Sequence, residues 1–296
     1  MLKTYLFALV VGLQAAFGLN ATVGYLDNHS VDFASRPSAA TAQWETAGQQ
    51  NSKDRDYLAA ITDLGIKLHP GSEFDSGSVY NDQSEKHCAS LVYRTFSVMP
   101  METVSKVKNL TFYYNSKGRR GLGGGSTIIL RCQNIADREL VSVLVHELGH
   151  IQDTGVMNGN FWAGKSSFMD GAAPVYLDDP SLEFYRISFL DESTRKSTAT
   201  DSDFVTGYAK TDPFEDFAET YNFYLLQGPA FREMLEESQS LQKKYDFMRE
   251  VVFAGQEFDY SLPLIGAVRP GNGLKNGRNY DSTVLEFDLK KFLANS

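Results

Sequence analysis

Cysteine is nearly missing from this chain of 296 residues: only Cys88 and Cys132 occur, with no CxxC pair. That spacing speaks against a cysteine metal site and, in an exported protein, for one disulfide closing a loop of about 45 residues. No GxSxG is present, and both cysteines are better used as a pair, so serine and cysteine catalysis have little to stand on. Basic charge is short too. Lys and Arg number 28 against 37 Asp and Glu, a formal net charge of -9 with a pI near 5.1. Phosphate neutralisation needs a basic surface, so a general nucleic-acid binder is disfavoured. Long apolar runs are also lacking beyond Tyr5 to Gly18, which is shorter than the roughly 20 residues that span a bilayer. Stable membrane insertion is therefore not expected.

That N-terminal run follows Lys3 and ends in the small residues Ala16 and Gly18, the pattern of a secretory signal peptide over residues 1–18. The expectation is a secreted protein, periplasmic if the source is a Gram-negative bacterium. Asn20, Asn28 and Asn109 each open an N-x-[ST] triplet, relevant where the host glycosylates. With 42% hydrophobic and 22% charged residues, the composition is that of an ordinary globular protein.

Residues 19–50 are polar and turn-rich, so 19–65 reads as an N-terminal arm with one helix, from Asp54 to Leu68. Residues 69–84 read as loop, and Lys86 to Val98 as helix. Leu110–Tyr114 and Ser126–Leu130 read as strands. Between them lies a flexible, basic, glycine-rich turn, Lys117 to Gly125, which lacks the Lys-[ST] and following helix of a phosphate loop and reads as a hairpin bend. Asp137 to Asp153 is the strongest helix, with Asp137 as its cap and Gly155 as its stop. Residues 156–200 show little pattern. Helices are expected from Phe214 to Gln227 and, as one long element, from Phe231 to Phe253; Thr283–Phe287 looks strand-like.

Inside the strongest helix sits His146-Glu147-Leu148-Gly149-His150, an HExxH motif. Residues four apart share one helical face, so both imidazoles can reach one metal ion, while Glu147 can take a proton from water activated there. A catalytic zinc needs a third protein ligand and one open position. The extended HExxHxxGxxH pattern is excluded, because Asp153 and Val156 stand where Gly and His would be required. Asp153 shares the ligand face and so is a possible ligand, but a third ligand on the same helix would be cramped, and it reads better as a supporting or capping residue. Downstream, Glu215 and Glu219 stand four apart on a helix whose other residues, Phe217, Ala218, Tyr221, Phe223 and Leu225, mark it as buried. One of the two carboxylates can bind metal while the other holds a ligating histidine.

HExxH followed by Tyr208 and Glu215-x3-Glu219 resembles the gluzincin metallopeptidases, among them the catalytic domain of anthrax lethal factor and related secreted zinc peptidases. The resemblance spans roughly residues 105–228. It implies Zn2+ held by His146, His150 and Glu215, Glu219 supporting a histidine, Glu147 as general base and Tyr208 as phenolic donor to the tetrahedral intermediate. The stretch between His150 and Glu215 is longer than in the thermolysin group. Ser126–Leu130 would correspond to the edge strand that pairs with an extended substrate. The expected fold is α+β, with a twisted sheet against the HExxH helix and a mainly helical second half, over a catalytic domain of residues 66–260 and a packed tail of 261–296. The expected activity is endopeptidase action on a protein or peptide substrate. The alternative is a secreted zinc-binding protein with the same fold and a binding or adhesion role. An effector with one narrow protein target would still be a peptidase.

Overall fold

The computed structural model describes residues 55–74, 82–114, 119–260, 262 and 281–296. They fall in a compact unit that starts at Asn51. The expected signal peptide and arm before residue 55 lie outside the described residues.

The class is α+β, as expected. Helix α1 (Tyr57–Asp63) is capped by Asp56, whose carboxylate accepts from the amides of Leu58 and Ala59. It is shorter than the expected Asp54–Leu68 helix. Gly65 adopts a φ of +79°, which ends the helical run. Strand β1 (Lys67–Phe74) follows where loop was expected. Helix α2 (Asp82–Val98) and the short α3 (Met101–Lys106) lead to β2 (Asn109–Tyr114). The glycine-rich stretch is not merely a bend. It supplies β3 (Gly121–Gly124), which turns back into β4 (Thr127–Arg131).

The sheet order is β1-β2-β4-β3. β1, β2 and β4 run parallel, and β3 is antiparallel to β4. β2 and β4 therefore do not form the hairpin that their spacing suggested. β4 is also interior: β3 is the edge, which corrects the expectation that Ser126–Leu130 forms it. Register pairs Leu110 with Ile128 and Phe112 with Leu130, all four buried, so alternate residues of both strands cover one face.

Helix α4 (Asp137–Ile151) packs against β3 and β4. Its start is not capped by Asp137. Ala136 occupies the N-cap, and Asp137 lies in the first turn, bonded to His87 at 2.8 Å. The helix does not stop at Gly155 but continues as one π turn, Gln152–Val156. Residues 156–200 are more regular than expected, with a hairpin of β5 (Lys165–Asp170) and β6 (Ala173–Tyr176) and helix α5 (Ser181–Ser188).

Helix α6 (Pro213–Leu226) starts where Asp212 accepts from the amides of Phe214 and Glu215, with proline in the first turn. Gly228-Pro229 ends it but opens α7 (Gly228–Met234). The expected single helix to Phe253 is thus broken into α7, a 3₁₀ turn, α8 (Gln239–Phe247) and a π turn, with Ser238 capping α8. Phe217, Tyr224 and Phe223 of α6 meet Phe184, Phe247, Phe253 and Phe231 at ring-centroid distances of 5.0–6.1 Å. Each such aromatic pair contributes about 0.5–1.5 kcal/mol beyond burial of area. This aromatic layer packs α6 against α5, α7 and α8, on the side away from the site. In the tail, Ser282–Val284 is a 3₁₀ turn rather than a strand, followed by the short helix α9 (Leu289–Leu293).

Cys88 of α2 and Cys132, just after β4, form the expected disulfide, with Cα atoms 5.9 Å apart. No helix among the described residues is long and apolar enough to cross a membrane.

Candidate metal centre

Two helices bring the site together. The α4 face carries His146 and His150, one turn apart, and α6 carries Glu215 and Glu219. The helices cross closely at Gly149, where an added Cβ would stand 2.9 Å from Ala218 Cα and 3.2 Å from Tyr221 Cβ. Glycine in the middle of the motif therefore lets the α6 carboxylates reach the imidazoles.

Nε2 of His146 and Nε2 of His150 lie 3.2 and 3.4 Å from the same oxygen, Glu215 Oε2. The three ligand atoms are all within 4.8 Å of one another. Ligands 2.0–2.2 Å from a tetrahedral ion stand about 3.4 Å apart, so these separations suit one divalent ion. Glu215 Oε2 is buried and accepts no hydrogen bond, as an oxygen reserved for a metal would be. The residues fit a metal, and the two-histidine, one-carboxylate set leaves a coordination position open.

Glu219, fully buried, backs this centre. Its Oε1 lies 2.9 Å from His146 Nδ1 and accepts from Ser282 Oγ at 3.0 Å. Its Oε2 accepts from Thr206 Oγ1 at 2.6 Å and from the Ser282 amide at 2.7 Å. The carboxylate thus fixes the His146 ring with Nε2 turned to the site. Tyr208, in a 3₁₀ turn, donates from Oη to Glu215 Oε1 at 2.7 Å, and its ring stacks on His146 at 6.2 Å.

Charge follows this geometry. Burial alone would lower the His146 pKa, but the Glu215 and Glu219 carboxylates outweigh it and raise the value well above the ordinary one. Burial would raise Glu215, yet the two histidines hold its carboxyl well below the usual range. Glu147 is raised, chiefly by burial, against the pull of His146 and His150.

Asp153 is not one of the converging groups. Tyr185 Oη donates to both of its oxygens at 2.7 Å, and burial raises its pKa to about 7. It therefore ties the π turn to α5, while remaining near enough for His150 to pull its pKa down.

Of the residues that hold the site, sequence reasoning had passed over Thr206, Ser282, Asp212 and Gly149. Asp212-Pro213 carried a readable helix-start signal. Ser282 carried none, because a lone serine in the tail has no pattern that ties it to Glu219, 63 residues earlier.

The centre opens into a cleft of about 690 Å³, bordered by β3, Glu147, Tyr208, Asp212 and Arg119. Comparison with family models, curated proteins and solved structures gives no match. The functional reading rests on the site itself.

Proposed function

We propose that this chain is an exported zinc-dependent endopeptidase with a zincin-like fold, of the gluzincin type. One observation carries the reading: His146, His150 and Glu215 converge on a single point at the floor of an open cleft, with Glu147 beside them. A purely structural zinc site has no need of a base and normally fills all four positions. The disulfide supports an oxidising destination.

Zinc held by the three ligands would supply Lewis acidity toward a substrate carbonyl and make water a nucleophile near neutral pH. Glu147 then accepts one water proton as the oxygen adds to the carbonyl carbon, and delivers that proton to the amine as the C–N bond breaks. Its raised pKa suits a group that must both take and return a proton. Tyr208 stacks on one ligand and hydrogen-bonds another, a position from which Oη can turn to the developing oxyanion. Among the described residues β3 is the free edge of the sheet, and it borders the cleft, so an extended peptide can add to it as a further strand. Backbone pairing of this kind gives affinity with little sequence selection.

The test is metal content together with cleavage of casein and a peptide library, for wild type and Glu147→Gln in parallel. The reading expects about one zinc in each and cleavage by wild type alone. Folded wild type that takes up no zinc would remove the central claim. Zinc in both proteins with cleavage by neither, across the whole library, would point to a binding module or to a single narrow target.

A further inference from the structure

The general base is placed without a hydrogen bond. Among the described residues no donor reaches the Glu147 carboxylate, although the side chain is almost wholly buried. Packing alone must then orient it, and the packing partner is the backbone of β3. A Cβ on Gly121 would collide with Glu147 Oε1 and lie 2.9 Å from its Cδ. A Cβ on Gly123 would lie 2.8 Å from Glu147 Oε2 and 2.7 Å from the Glu147 carbonyl oxygen. Each carboxylate oxygen therefore rests against a different glycine, two residues apart on the same strand face. Leu122, between them, is 46% exposed.

Backbone conformation does not demand glycine at these two positions. Gly124, at the end of β3, and Gly125, in the turn that follows, have φ of +151° and +56°, whereas Gly121 and Gly123 have no such angle. What Gly121 and Gly123 supply is room.

We propose that Gly121 and Gly123 are positioning residues whose bare backbone forms the seat that orients the Glu147 carboxylate toward the reacting water. This inference rests on the peptidase reading and deepens it. The seat also accounts for an edge strand made almost wholly of glycine, a composition that otherwise weakens a strand.

Gly121→Ala is the informative variant. Its methyl would meet the movable end of Glu147 and, at 2.6 Å, Val143 Cγ1, both of which can rotate. The fold and the zinc content should survive while the carboxylate shifts by about 1 Å, a displacement that can cost on the order of 10²-fold in rate. The expected result is a kcat lowered about a hundredfold with KM within about threefold, since the methyl points at Glu147 and Val143 and leaves the backbone edge of β3 free to pair with substrate. In a Glu147→Asp background, whose shorter side chain clears the new methyl, Gly121→Ala should cost less than about threefold. If Gly121→Ala folds poorly, Gly121→Ala with Val143→Ala removes the second obstruction. A thermal cycle reads the same contact without substrate: Gly121→Ala should lower Tm less in Glu147→Ala than in wild type. Zinc-loaded wild type that cuts no peptide would point to a binding module or a single narrow target, and the thermal cycle would still decide the seat. Wild type that cuts, with Gly121→Ala at undiminished kcat or with equal Tm losses in both backgrounds, would overturn the seat.

Discussion

Replacing Glu219 by glutamine changes one atom in a carboxylate that meets the candidate metal centre only through His146 Nδ1. Oε2 of Glu219 accepts from Thr206 Oγ1 and from the Ser282 amide, at 2.6 and 2.7 Å, while Oε1 faces His146 Nδ1 and Ser282 Oγ. An amide can keep one oxygen toward His146, but its NH2 then points at two donors. Thr206 can rotate its hydroxyl; the Ser282 amide cannot. A buried N–H left without an acceptor costs about 1–3 kcal/mol. For a domain of this size that is a fall in Tm of roughly 2–12 °C. If the glutamine flips to satisfy Ser282, His146 loses its acceptor, and partners of that kind are worth about 10- to 100-fold in metal affinity. Either orientation leaves one measurable deficit. Zinc affinity from chelator competition and Tm with and without metal, on Glu219→Gln and wild type, would show which. Affinity within twofold of wild type together with an unchanged Tm would refute the role given to Glu219.

Tyr208→Phe removes the hydroxyl beside Glu215 and should lower kcat by on the order of 10², with zinc retained; a kcat near wild type would end the oxyanion role. Cys88→Ala with Cys132→Ala should cost about 3–4 kcal/mol in urea unfolding, through the loop the bridge closes. Asp153 has a folded pKa near 7, above its unfolded value, so it adds stability that is complete below about pH 4 and lost as pH rises to 7. Asp153→Asn, which keeps an acceptor for Tyr185, should flatten that fall in urea titrations at pH 5 and pH 8; an unchanged slope would refute the assignment. Lys244→Met leaves Asp216, its fully buried partner at 2.6 Å, uncompensated and should cost about 3–5 kcal/mol by denaturant midpoint.

Periodicity was readable where one face of an element meets the core. The strands around Leu110 and Ile128, helix α4 and helix α6 all lie close to their expected bounds, because their apolar residues repeat at the period of the element. Pairing was not readable. Two short strands separated by glycines suggest a hairpin, and nothing local shows that the glycines themselves form the edge strand while the flanking strands run parallel. β1 failed for a related reason, since His69, Pro70 and Gly71 look like a loop until β2 supplies a parallel partner. The break between α7 and α8 lay in sequence that stays helical in pattern, and Ser238, which caps the restart, is not singled out from Ser240 by type.

The centre itself divides along the same line. His146, Glu147 and His150 declare themselves because a single helix fixes their relation, so spacing alone encodes the geometry. Glu215 and Glu219 needed a second inference, that buried carboxylates must have partners. The outer supports, Thr206 and Ser282, depend on how distant segments meet. That dependence has a physical consequence. His146 is oriented by Glu219, Glu219 is held by Ser282, and the adjoining Asp281 and Thr283 bind Arg120 beside β3. The tail therefore braces both walls of the cleft, the helix that carries His146 and His150 and the strand that packs against Glu147, so on the proposed reading damage there should reach the chemistry without touching a single ligand.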